Sequence, residues 1–228
     1  MKRSVSVLAL ACALAGVAHA EPGGVSGVSG PTVRVGETKI EARTAAYDGG
    51  DLDGDWAHRA QIGHSFTDWY QATLIARASQ PDGDDTEMRS IGLENRIDFT
   101  GTRDWPIHFG AQAEYKWGLN GADDAVELKL LAEHVSGPFS ARLNLITERA
   151  MSDGADWENE YAARFMWRAS DTIAVGLEAF GEIDADAHAA GPRATLSMGE
   201  ATLALGYLVG MDEAAADSQF RLGVEWSP

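Results

Sequence analysis

The sequence predicts an all-β fold, a transmembrane up-and-down antiparallel β-barrel of about twelve strands. Three observations lead there. From Thr38 to the last residues, apolar and polar side chains alternate over stretches separated by Gly-, Asp- and Ser-rich breaks. Those breaks alternate between short turns and longer acidic loops. An export signal stands at the N-terminus, with no cysteine after it. Strict alternation means a strand with one apolar and one polar face. A water-soluble sandwich turns the apolar face inward, whereas a membrane barrel turns it outward and keeps charge in the lumen.

Residues 1–20 read as a secretory signal: Lys2 and Arg3 give the positive start, Val5 to Val17 the apolar run, and Ala18-His19-Ala20 the small-x-small cleavage site before Glu21. The run is too short for a spanning helix. Cleavage before Cys12, as in a lipoprotein, would leave apolar sequence behind, and Ala9 stands where a Leu is usual. Cys12 is the single cysteine and lies inside the signal, so no disulfide is available to the exported chain. Residues 21–36 are expected to be a flexible Gly/Ser/Pro leader, and residues 37–228 the barrel.

The strands are expected at roughly 37–47, 56–66, 69–79, 87–99, 106–118, 125–135, 138–149, 157–168, 172–183, 191–198, 200–210 and 217–227. The fifth shows the rule: Ile107, Phe109, Ala111, Ala113, Tyr115 and Trp117 share one face, and His108, Gln112, Glu114 and Lys116 the other. Short connections fall at 66–69, 100–104, 136–138, 170–171 and 199–200, and longer acidic ones at 48–55, 80–86, 120–124, 152–156, 184–188 and 211–217. Outer-membrane barrels have short periplasmic turns and long external loops. The outward faces then carry Leu93, Phe109, Leu128, Leu130, Leu143, Leu145, Phe165, Leu177, Leu203, Leu205, Leu222 and Val224, with Arg89 at the outer rim. Trp69, Tyr70, Phe99, Trp105, Phe139, Trp167 and Trp226 are expected to form one aromatic girdle, and Tyr47, Trp56, Tyr115 and Trp117 the other.

The inward faces define the candidate functional residues. Lys39, Glu41, Arg43, Arg59, Glu94, Arg96, Glu114, Lys116, Glu127, Lys129, Arg142, Arg164, Arg168, Glu178, Glu182 and Arg221 are expected to line the lumen as a ladder of ion pairs between neighbouring strands. Such a ladder would narrow the path for ions. The acidic loops, with Asp51, Asp53 and Asp55 and with Asp82, Asp84 and Asp85, are candidate divalent-cation sites. Asp51 to Asp55 starts like a calcium loop, but Trp56 and Ile62 occupy positions that need Gly and Glu, so it is no EF-hand. His58, His64, His108 and His188 lack metal-ligand spacing, so no bound metal or cofactor is expected.

The chain carries 18 Lys+Arg against 35 Asp+Glu, a formal charge of −17, which argues against a nucleic-acid partner. Membrane lipid and the outer-membrane insertion machinery are the expected partners. In the last strand Phe220, Leu222, Val224 and Trp226 alternate, and this end resembles the C-terminal signal read by that machinery, although Ser227 and Pro228 follow the aromatic.

Further matches run from about Tyr161 onward: Gly176 to Glu182, Gly191-Pro192, Leu205 to Asp212, Asp217, and Arg221 to Trp226. On these pieces the last third resembles a group of small proteobacterial outer-membrane barrels described as phenol meta-pathway or transporter-like channels. The resemblance implies a barrel with a transport role and brings no catalytic residue. A narrow, porin-like channel for small solutes is the expected function. A structural or surface-interaction barrel is the alternative, and an outer-membrane phospholipase-like enzyme the third. His134-Val-Ser136 has the His–Ser spacing of such phospholipases but falls at a short turn, so no enzyme activity is expected.

Overall fold

The structure, a computed structural model, describes residues 24–228 apart from Thr102 and Asp104; the signal segment lies outside the described residues. Twelve antiparallel strands close into one barrel, each paired with its neighbours in sequence and β12 with β1. They are β1 Thr38–Asp48, β2 Trp56–Ser65, β3 Tyr70–Gln80, β4 Glu87–Asp98, β5 His108–Gly118 and β6 Ala125–Ser136. The rest are β7 Phe139–Ala150, β8 Glu158–Arg168, β9 Ile173–Glu182, β10 Ala187–Met198, β11 Ala201–Gly210 and β12 Ser218–Trp226. Closure matters because lipid offers no hydrogen bond to a free strand edge. The β1–β12 seam runs from Ile40 opposite Trp226 to Asp48 opposite Ser218.

Alternation decides which side each residue faces. Leu74, Leu93, Phe109, Leu130, Leu145, Phe165, Leu177, Leu205 and Val224 are exposed on the outside of the isolated chain. Arg59, Glu94, Glu114, Glu127, Lys129, Glu178 and Arg221 are buried inside. A globular protein would show the reverse, so this outer face belongs in lipid. Phe66, Trp69, Phe99, Trp105, Phe139, Trp167 and Trp226 ring the short-turn end, and Trp56, Trp117 and Trp157 the long-loop end. Tyr47 differs from expectation: it shares the inward parity of Lys39, Glu41 and Arg43 and is buried in the lumen beside Ala45 and Ala216.

Two local irregularities also depart from simple strand counting. Residues 184–188 were expected as a long loop, but Asp186 takes a left-handed conformation (φ 53°) and closes a tight turn. Ala187 then already pairs with Glu182. The expected strand begins at 191, just before Pro192, which cannot donate to a ladder. Here the strand runs through it: Pro192 stays in register with Leu177 of β9, while the β11 ladder skips from Ala190 to Arg193. The second irregularity is a bulge in β4. Arg77 pairs with Ser90 and Ala78 with Met88, leaving Arg89 as the extra residue. Its guanidinium lies 3.5 Å from Glu87 at the exposed rim.

Residues 24–36 are the main departure. They were expected to be a flexible leader, yet they run lengthwise through the lumen. Val25 packs toward Ala45, Tyr47, Ala216 and Leu52 at the long-loop end. Farther along, Pro31 is buried, and the Val33 N–H points to Asp98 Oδ2 (3.3 Å) near the short turns. The Gly36 N–H then bonds the Ser65 carbonyl before β1 begins. Composition gave no sign of this path because backbone groups make the contacts, and Gly and Ser report them only as absent bulk.

Leu130 sits mid-strand on the lipid face. Leu130→Arg is expected to lower unfolding stability by roughly 2–4 kcal/mol in lipid vesicles, against about 0–1 kcal/mol for Met151→Arg at the rim. Urea titration followed by tryptophan fluorescence would measure both.

Candidate functional site

The lumen is the candidate site, and its electrostatics follow from the register. Directly opposed residues often carry the same charge. Arg43 faces Arg59, and Arg59 faces Arg77. Glu94 faces Glu114, which faces Glu127, which faces Glu148. Opposite signs do face each other at Glu133–Arg142 and Arg164–Glu178, but elsewhere signs alternate along strands, so partners meet two residues apart, diagonally or across an intervening strand. The reason is the period of two, which places Glu41/Arg43, Glu94/Arg96, Glu114/Lys116 and Glu127/Lys129 successively on the inner wall.

Near β1, Arg43 grips Glu41 with Nε at 2.5 Å and Nη2 at 2.7 Å. Gln61 donates to Glu41 (2.8 Å), and Arg59 donates to Gln61 (2.9 Å). Lys39 reaches Glu225 at 3.4 Å. On the opposite wall Lys116 joins Glu127 (3.0 Å) to Glu148, and Lys129 reaches Glu127 at 2.8 Å. Arg142 donates to Glu133 (2.5 Å), and Arg96 lies 3.6 Å from Glu94. Glu178 is the hub of β8–β12: Arg193 and Arg221 stand 3.2 Å away and Arg164 3.6 Å. Glu182 is buried on the same strand, two turns of the pleat above. Arg168 is exposed at the short-turn rim.

Some pairs span more than one strand. Arg77 on β3 and Glu114 on β5 make a bidentate bond of 2.6 and 2.7 Å that passes over β4. It passes at Gly92, where a Cβ would stand 1.9 Å from Glu114 Oε1. The glycine is thus a gap cut in the wall for a charge-assisted pair.

Along the barrel axis, Glu114, Glu127, Glu148, Glu160 and Glu182 lie in the long-loop halves of their strands together with Arg59, Arg77, Lys116, Lys129 and Arg221. The short-turn mouth opens into a cavity of about 540 Å³ whose lining includes Arg34, Lys39, Arg142, Arg164, Arg168 and Arg193 against only Glu37 and Glu133.

Residues 24–34 thread between these regions. Arg164 donates to the Val28 carbonyl at 2.9 Å, Arg43 to the Val25 carbonyl at 3.3 Å, and Arg221 to the Ser26 carbonyl. Asn144, fully buried, accepts from the Ser29 N–H (2.7 Å) and donates to its carbonyl (2.9 Å), as a strand neighbour would. The Val28 side chain enters an apolar cup of Ile146, Ala162, Phe180, Ala189 and Leu208. Gly27 and Gly30 let the guanidinium groups of Arg43 and Arg142 approach the backbone, 2.1 and 2.9 Å from where Cβ atoms would be. Between segment and wall a cavity of about 130 Å³ remains.

Asn144 and this cup were missed from sequence. A signal existed: Ile75, Leu131, Ile146, Phe180 and Leu208 occupy inward positions that a water-filled lumen does not call for.

The loop carboxylates mostly bind backbone. Asp53 accepts from the Gly49 N–H (3.0 Å), and Asp55 accepts from the Asp82 N–H (2.7 Å), joining the loops that carry Asp51 and Asp84–Asp85. Asp124 accepts from the Tyr115 hydroxyl (2.6 Å) and the Gly118 N–H (2.9 Å), which hold its carboxyl below the usual value. Among the described residues no three His, Cys, Asp or Glu side chains gather as metal ligands. His134 and Ser136 are exposed at the short-turn end, where His134 Nδ1 lies 2.5 Å from the Pro106 carbonyl.

Closed barrel, lipid-facing apolar belt and charged lumen define a porin-like outer-membrane β-barrel. Solved structures agree on the fold. The KdgM porin in complex with disordered oligogalacturonate superposes with a TM-score of 0.63 at 12% identity, covering 83% of this chain and 99% of that one. The NanC porin gives 0.63 at 7% identity over 82% and 98%. An outer membrane channel from Pseudomonas putida F1 gives 0.60 at 13% identity over 90% and 100%. No protein-family profile and no curated protein sequence matches the chain.

Removing one partner of a buried ion pair costs about 3–5 kcal/mol, whereas replacing both by apolar residues is often neutral. Arg77→Leu is therefore expected to destabilise the barrel by about 3 kcal/mol, with Arg77→Leu/Glu114→Leu recovering most of the loss. Gly92→Ala should lower the unfolding temperature by displacing the same pair. The temperature at which the compact gel band disappears reports all three.

Proposed function

We propose that this barrel is a narrow outer-membrane channel for small solutes that conducts weakly because charged side chains and residues 24–34 fill its lumen. The observation that carries the reading is the charged inner wall. A purely structural barrel gains nothing from burying so many ionised groups, since an apolar interior of equal volume is as stable or more so. A path for polar solutes needs them. The basic mouth at the short-turn end would favour anions there, and the paired acids and bases deeper in the lumen would narrow the path for either sign.

The likeness of the last third to phenol meta-pathway or transporter-like channels supports a transport role, as does the fold shared with porins. The filled lumen favours a second reading, a structural or surface-interaction barrel. We read the barrel as non-enzymatic: His134 and Ser136 are exposed and share the lipid-facing parity of Leu128 and Leu130. In the proposed orientation the short turns and the end of β12 lie in the periplasm, with Phe220 to Trp226 presented to the insertion machinery. The acidic loops face the cell exterior, where Asp51, Asp53 and Asp55 with Asp82, Asp84 and Asp85 could gather divalent cations loosely.

In planar bilayers the wild type is expected to show small conductance, and Arg96→Ala/Arg164→Ala larger conductance with a shift toward cations and a lower unfolding temperature. Closed bilayers for both would favour the structural role. Cysteines at Asp53 and Asp84 are expected to react with an impermeant thiol reagent on intact cells, and a cysteine at Asp171 to stay unreacted; the opposite pattern would invert the topology.

A further inference from the structure

The groups that hold residues 25–29 have the chemistry of a ligand site. Arg164 and Arg221 share the single carboxylate of Glu178, and each gives a remaining donor to a carbonyl of the threaded segment. The Arg221 guanidinium also lies over the Phe180 ring, 4.5 Å from its centre. Phe180 at the same time forms part of the cup around the Val28 side chain. Beside them Asn144 is fully buried, and both ends of its amide bind Ser29. Without the segment, a buried amide, two guanidinium groups and an apolar cup would face one space, and a buried polar group left unpaired is costly.

These demands are met by a molecule with one apolar arm and oxygens at its head. A carboxylate satisfies the two guanidiniums better than neutral carbonyls do, because charge-assisted bonds to it are roughly twice as strong as neutral ones. We infer that the Phe180–Arg164–Arg221 pocket is a site for small organic acids with an apolar body, and that residues 25–29 occupy it as a tethered competitor. The acid's carboxylate engages the Arg164 and Arg221 donors that the Val28 and Ser26 carbonyls otherwise hold, and its apolar body replaces the Val28 side chain. Solute binding and opening of the lumen are then one equilibrium. The tether holds the resting lumen filled, and the solute that fits is the one that clears it. The inference rests on the channel reading, since a barrel that passes nothing has no use for a displaceable occupant.

The chain without its signal has no cysteine, so a single introduced one reports the segment. Ser26→Cys and, separately, Ser29→Cys would be refolded in detergent, and their labelling by a soluble maleimide timed with benzoate, isovalerate, benzyl alcohol or glucose present. If the segment and the acid exclude each other, the labelling rate scales as one plus the ratio of acid concentration to Kd, about tenfold at ten times Kd. Benzoate and isovalerate should accelerate labelling, and the neutral probes should not. Val28→Gly should raise the basal rate, and Arg164→Gln/Arg221→Gln should remove the carboxylate effect while the compact gel band persists. Labelling that ignores carboxylates in both cysteine variants, or responds equally to benzyl alcohol, overturns the site. The readout needs no conduction, so it fails separately from the channel reading: conducting bilayers with unresponsive labelling would leave the channel and remove the site. Acid-dependent labelling with closed bilayers would establish the site and remove the channel.

Discussion

The constraint on which this structure depends is that a closed sheet in lipid gives its charged side chains one direction to point. With every strand paired on both sides, backbone polarity is satisfied by closure. Lipid then excludes charge from one parity of every strand except at the rim, where Arg89 and Arg149 stand, and the other parity receives the rest. Arg59, Glu94, Glu114, Glu127, Lys129, Glu178 and Arg221 are buried for this reason and not because the interior is dry protein core.

Confinement forces the details of pairing. A wall of strands about 4.8 Å apart brings long side chains together whatever their sign. Glu94, Glu114, Glu127 and Glu148 share one rung across four successive strands, so they can be neutralised only from off the rung. Lys116 reaches both Glu127 and Glu148, and Arg77 reaches Glu114 across an entire strand by way of Gly92. The hub at Glu178 is the same solution with signs exchanged, one carboxylate among Arg164, Arg193 and Arg221. Three guanidinium groups against one carboxylate leave donors over, and the carbonyls of residues 26 and 28 take two of them. The segment in the lumen is thereby tied to the charge balance of the wall. It is also tied to its apolar positions through Val25 and Val28.

The barrel was legible in the sequence to a degree that the site was not. Strand alternation is a property of single segments, so β2 at Trp56–Ser65 and β11 at Ala201–Gly210 can be read almost to their ends. Failures came where one residue's local preference was outweighed by its neighbours. Pro192 suggested a strand end but sits in a strand that needs only one of its two ladders there. Tyr47 suggested a girdle by its type, while its parity placed it inside. The inward charges were identified individually, but their partners were not, because which rung faces which depends on turn lengths and on the bulge at Arg89.

By itself the sequence determined the closed class of fold, the face each strand residue takes and the concentration of acid in alternate loops, since these follow from a period of two and from solvent preference residue by residue. Only the tertiary structure decided that like charges share rungs, that Gly92 is a passage for the Arg77–Glu114 pair, and that Gly27 and Gly30 belong to a segment packed against arginines. Those outcomes depend on distances between strands remote in sequence and on backbone groups that every residue carries alike, and neither leaves a mark on composition or period.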